Sequence, residues 1–202
     1  MLIGIAILVL TVLLVAAQLF VPGIGERQIE DRLTEGGGDA EVTLSATPAA
    51  RLLLGDGDRI EVRGSNLELD LETEDPQVLD RLDGFGEVEV DLADFRAGPF
   101  EVSSFEMIRD GDGPYTVRST SSTTPADLLG YGAGALGLAG GSILEFFTGR
   151  APLANRRIPV SVDMQMESDD GRIRVVSGSG TVAGYPTGPL AQFITAAIVV
   201  RL

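Results

Sequence analysis

Residues 59–74, RIEVRGSNLELDLETE, alternate apolar and polar side chains for nearly their whole length. Ile60, Val62, Leu67, Leu69 and Leu71 fall between charged or polar neighbours. Successive side chains of a strand point to opposite faces, so this pattern predicts a long strand that is dry on one side and wet on the other. Gly64 interrupts the alternation and marks a bend or bulge.

Segments of the same texture lie on both sides. AEVTLSATP (40–48) turns Val42 and Leu44 one way and stops at Pro48. GEVEVDLADF (86–95), PFEVSSFEMI (99–108), YTVRSTSST (115–123), IPVSVDMQMES (158–168) and RIRVVSGSGTVAGYP (172–186) continue it. The runs 55–58 and 110–113, both built of Gly and Asp, read as hairpin turns, as does Asp169-Asp170-Gly171. Strands wet on one face and joined by turns imply an antiparallel sheet rather than a parallel one buried on both faces.

Helices are fewer. Residues 24–35 place Ile24, Gln28 and Arg32 on one helical face and Ile29 and Leu33 on a neighbouring one, ahead of Gly36-Gly37-Gly38, which is either a hinge or a loop. Residues 49–54 suit a single helical turn. Asp75-Pro76 suits the start of a short helix in which Val78, Leu79 and Leu82 share a face. Residues 127–147, DLLGYGAGALGLAGGSILEFF, follow the start signal Thr124-Pro125, and residues 188–202 carry Leu190, Phe193, Ile194 and Ala197 at helical spacing. The fold class is α+β.

Ahead of the sheet, residues 2–21 form a run of twenty without a charge, with Thr11 and Gln18 as its only polar side chains. At about 1.5 Å per residue such a helix spans roughly 30 Å, the thickness of a bilayer's hydrocarbon core. As a signal anchor the run stays in the membrane. As a signal peptide it is cut after Ala17, with Val15 at the −3 position. The apolar run continues past that point through Leu19, Phe20 and Val21, which favours the anchor. Residues 1–22 are accordingly expected to be one transmembrane helix and residues 23–202 a single domain. Arg27 and Arg32 follow the run with no basic residue before it, a weak bias toward a cytoplasmic C-terminal side.

Thirty acidic residues against fifteen basic ones give a net charge of −15, which repels phosphate backbones and disfavours nucleic acid and anionic lipid surfaces alike. Cys, His and Lys are all missing, and every basic residue is Arg. Without them no Ser-His-Asp or Cys-His nucleophile, Schiff base, P-loop lysine or ordinary zinc site can be assembled. Carboxylates are plentiful, but most alternate onto the wet side of strands, where solvation explains them. No catalytic residue, cofactor or metal site is expected.

Residues 127–147 are the candidate cover for the dry face of the sheet: helices packed on it, a second membrane span, or an apolar lid over a cavity. The expected lipid contacts are Leu128, Leu129, Leu136, Leu138, Ile143, Leu144, Phe146 and Phe147. Arg156 and Arg157 would meet a phosphate headgroup, Arg being shaped for bidentate phosphate contact, or form a salt-bridged surface pair.

The order of VPGIGERQIEDRL (21–33), AEVTLSATPAARLLLGDGDRIEVRGSNLEL (40–69), the Asp-Pro helix and GEVEVDLADF resembles the LmeA-like phospholipid-binding family of actinobacterial envelope proteins. The Gly-rich stretch 130–141 and the final apolar segment depart from that pattern. The resemblance implies a curved antiparallel sheet wrapped around helices, as in tubular lipid-binding folds, anchored by one transmembrane helix. It further implies a periplasmic or otherwise extracytoplasmic domain of a single-pass cell-membrane protein, and phospholipid as the partner, in support of envelope glycolipid assembly. The alternative is a solid-cored domain with an acidic face for a protein partner.

Overall fold

The computed structural model describes residues 21–69, 77, 79–127, 156–182 and 185–186. Their main feature is one curved, mixed sheet of nine strands: β1 (Asp39–Ser45), β2 (Gly57–Ser65), β3 (Glu68–Leu69), β4 (Phe85–Ala97), β5 (Phe100–Asp110), β6 (Tyr115–Thr123), β7 (Ile158–Asp169), β8 (Arg172–Val182) and β9 (Tyr185–Pro186). The spatial order is β1-β2-β4-β5-β6-β7-β8-β9, with β3 also paired to β4. Helices are few: α1 over residues 21–33, a 3-10 turn at Ala49–Leu54, and the one-turn α2 (Asp80–Asp83).

The expected dry face is present. Inward residues of β4 (Val88, Val90, Leu92), β5 (Phe100, Phe105, Met107) and β7 (Val160, Val162, Met164, Met166) are buried, and their neighbours on the other face are mostly exposed. The outer face carries ion pairs across the strands, such as Arg59 of β2 with Glu87 at 3.3 Å and Glu89 at 2.5 Å on β4.

The all-antiparallel expectation is corrected in one place: β4 runs parallel to both β2 and β3. Parallel neighbours need a crossover of a dozen residues or more. The connection from β3 to β4 is that crossover, with Leu79 and Leu82 of its α2 end buried in the core. Alternation reports which face is wet and says nothing of a neighbour's direction. The long strand of residues 59–74 is interrupted at Asn66, in the left-handed region (φ 56°), rather than at Gly64. Asp94 on β4 has a matching positive φ (48°), and its carbonyl accepts the Asn66 N–H at 3.1 Å. The interruption is therefore shared by two neighbouring strands.

The 110–113 run is a hairpin turn between β5 and β6, with the Gly113 N–H donating to the Asp110 carbonyl at 3.2 Å. The 55–58 run is not one. Gly55, at φ 75°, ends the 3-10 turn, and Arg51 then holds Asp56 at 2.9 Å and Asp58 at 2.6 Å. Thr124 starts a helical turn as expected: its hydroxyl accepts the Asp127 N–H at 3.1 Å and donates to the Asp127 carboxylate at 2.6 Å.

Helix α1 includes Pro22 and Gly23, so these residues do not end it. Its sheetward side is Gly25, Glu26, Ile29, Glu30 and Leu33, and only Leu33 is fully buried. The two carboxylates, one helical turn apart, accept the outward N–H groups of the edge strand β1. Glu30 Oε1 takes Val42 at 3.0 Å and Glu26 Oε1 takes Leu44 at 2.9 Å. Four helical residues rise about 6 Å and two strand residues about 6.8 Å, so the two spacings nearly match. A Cβ on Gly25 would lie 2.8 Å from Leu44 Cδ1, which shows how closely helix and strand approach. The triple glycine resolves to a packed loop: a Cβ on Gly36 or Gly38 would collide with the backbone of Glu68 or Asn66.

Among the described residues no helix is long and apolar enough to cross a membrane, and residues 1–20 lie outside them. So do the end of the 59–74 stretch, Asp75-Pro76, Val78 and the final apolar segment 188–202.

Candidate functional site on the inner face of the sheet

The inner face is apolar across β1 to β7 with two polar interruptions. The first lies at the sheet end where β5 finishes and β6 begins. After Phe105 and Met107, the inward position of β5 is Arg109, 8% exposed. Its Nη1 donates to the Tyr115 hydroxyl at 2.6 Å and to Asp83 Oδ1 at 3.3 Å. Its Nη2 donates to the carbonyls of Leu82, at 3.1 Å, and Phe85. The guanidinium also stands 4.7 Å from the centre of the Tyr115 ring. Tyr115 donates to Asp83 at 2.9 Å, and Ser168 of β7 donates to the same carboxylate. Burial, outweighing the Arg109 cation, pushes the Tyr115 hydroxyl well above the ordinary tyrosine range. All Arg109 nitrogens except Nε are engaged, so this cluster fastens α2 to the sheet and has little left for a ligand.

The second interruption is on β6. Its inward positions run Tyr115, Val117, Ser119, Ser121 and Thr123, all buried. Thr123 donates to the Pro99 carbonyl at 2.8 Å. The hydroxyls of Ser119 and Ser121, on residues 5% and 4% exposed, have no hydrogen-bond partner among the described residues. Register sets Ser121 between Val102 and Val160, and Ser119 between Phe105 and Val162, so both sit among apolar side chains. An unmatched buried hydroxyl costs about 1–3 kcal/mol. Chemically the pair can give and accept hydrogen bonds within an otherwise apolar surface.

The expected lipid contacts Leu128, Leu129, Leu136, Leu138, Ile143, Leu144, Phe146 and Phe147 all lie outside the described residues. Arg156 and Arg157 are exposed ahead of β7. Arg157 pairs with Glu101, which also meets Arg96 at 3.8 Å, beside a hollow of about 410 Å³. That places Arg157 in the polar outer network. Ser119, Ser121 and Arg109 were missed from sequence, although extending the alternation of β5 and β6 by two residues at a time turns each of them inward.

Among the described residues no carboxylate is buried. No group of three or more Asp or Glu among them could hold a metal ion. Compared with known protein families, curated proteins and solved structures, the chain finds no match in any of the three.

Proposed function

We propose that this chain is a membrane-anchored, non-enzymatic domain that holds or moves phospholipid in the cell envelope, on the extracytoplasmic side. The observation that carries the reading is the inner face of the curved sheet: apolar over seven strands, with the Ser119 and Ser121 hydroxyls unmatched within it. Burying each CH₂ of an acyl chain is worth about 0.8 kcal/mol, so such a face suits lipid tails without specific ligands. The two hydroxyls suit the ester oxygens of a glycerolipid. In this reading residues 2–21 serve as the anchor, and the resemblance to LmeA-like proteins agrees with it. The missing His, Cys and Lys favour binding over catalysis.

A phospholipid bearing a diazirine in its acyl chain, photolysed in membranes that hold the full chain, tests this. Label on peptides carrying Phe105 or Val162 is the expected result. Label confined to residues 2–21 would leave an anchor and remove the lipid-holding role. The second reading, a solid core with an acidic partner-binding face, draws on a trough of about 520 Å³ across the outer face, lined by Asp91, Glu106 and Asp163. It predicts that confined labelling.

A further inference from the structure

Large apolar side chains are exposed at one corner of the domain with no packing reason to be there. The 3-10 turn Ala49–Leu54 buries Ala49 and rests Leu52 on the core, yet leaves Leu53 74% and Leu54 86% exposed. The turn is braced: Arg51 grips Asp56 and Asp58, and the N–H groups of Gly55 and Asp56 donate back to the carbonyls of Leu52 and Arg51, both at 3.1 Å. A braced turn that presents two leucines outward has an apolar contact to make.

Position identifies the contact. Helix α1 runs antiparallel to β1, with Glu30 at Val42 and Glu26 at Leu44. Its first residues therefore lie toward the end of β1 from which the 3-10 turn follows. Ile24, 67% exposed, is on that first turn of the described helix. The chain that precedes it is the uncharged apolar run 2–20, which joins α1 at this same corner. We infer that Leu53 and Leu54, with Ile24 beside the anchor, dip into the interfacial layer of the bilayer that holds residues 2–21. This rests on the anchor reading and adds an orientation to it: the domain meets the lipid by the β1–β2 corner.

Charge limits the contact to that corner. Along the same rim, past Gly84 and Gly86, comes the turn with Asp110 and Asp112, and beyond it Asp169 and Asp170. These acids stay in water and repel anionic headgroups, so insertion is apolar in origin and does not require acidic lipid.

The chain has no Trp, which makes a single introduced Trp a clean reporter. The full chain carrying Leu54→Trp, and separately Thr120→Trp on the exposed outer face, is reconstituted into phosphatidylcholine vesicles with or without brominated acyl chains. The expected result is a blue-shifted Leu54→Trp emission, quenched by brominated lipid roughly twofold or more beyond the Thr120→Trp control. Equal quenching of the two, in protein that floats with the vesicles, overturns the inference and leaves the anchor standing. A blue shift without quenching assigns the leucines to a second copy or to another protein and overturns it too. Failure of the full chain to float with the vesicles overturns the anchor reading and this inference together.

Discussion

The two polar places on the inner face are opposites. Around Arg109 the fold has already arranged a carboxylate, a phenol and main-chain carbonyls. Beside Ser119 and Ser121 the register sets Val and Phe, and among the described residues neither hydroxyl has a hydrogen-bond partner. The first is the more polar and the less available. A buried group whose bonds are filled from within acts as a fastener, whereas one left unfilled has capacity for a guest. Unmet demand, rather than polarity, marks the candidate site.

The contrast can be broken by stability measurements. Arg109→Met strips the partly exposed Asp83 carboxylate and several buried carbonyls of their donor and is expected to cost about 2–4 kcal/mol in urea unfolding. A loss below about 1 kcal/mol would mean the cluster is no fastener. Tyr115→Phe leaves both Arg109 and Asp83 short of a partner, for an expected loss of about 1–3 kcal/mol. Because the folded state holds the Tyr115 proton more tightly than the unfolded chain does, this stabilisation is full below the ordinary tyrosine value of 10 and falls as pH rises above it. Unfolding midpoints on either side of that pH should show the slope in the parent and a shallower one in Tyr115→Phe.

Smaller effects sharpen the comparison. Replacing Glu26 and Glu30 with Ala uncovers two N–H groups that water can partly reach, so about 1 kcal/mol is expected for each. Faster hydrogen exchange at the Val42 and Leu44 amides would report it site by site. The opposite sign is expected from Ser119→Ala with Ser121→Ala: stability raised, by about 1–3 kcal/mol, because unmet hydroxyls are removed. Acyl-diazirine labelling of the inner face should fall in the same variant. A clear loss of stability would show that the hydroxyls are already partnered.

Much of the sheet was legible in the sequence because alternation is a direct consequence of the pleat. Val42, Ile60, Val90, Phe105 and Met164 all face inward as their spacing demands. What could not be read were relations between distant segments. The parallel β2–β4 pair depends on a crossover that pattern alone does not orient. Glu26 and Glu30 look like ordinary solvated acids until the edge strand is set beside them. Arg109 turns inward on the alternation of β5, but its partners do not show there, since a residue just before a turn gives no sign of the helix that will close over it. Even so, the inward serines could be counted from Val117, and a reader following β6 two residues at a time would have reached them.

The hydrogen bonds from β1 to helix α1 also limit how molecules can join. A sheet with two free edges can add copies at both ends and grow into a fibre. Here the outward N–H groups of Val42 and Leu44 are already taken, so β1 is a poor template for an incoming strand. Among the described strands, pairing between identical molecules is then left at most the β9 edge. It must stop at a symmetric pair, never a filament.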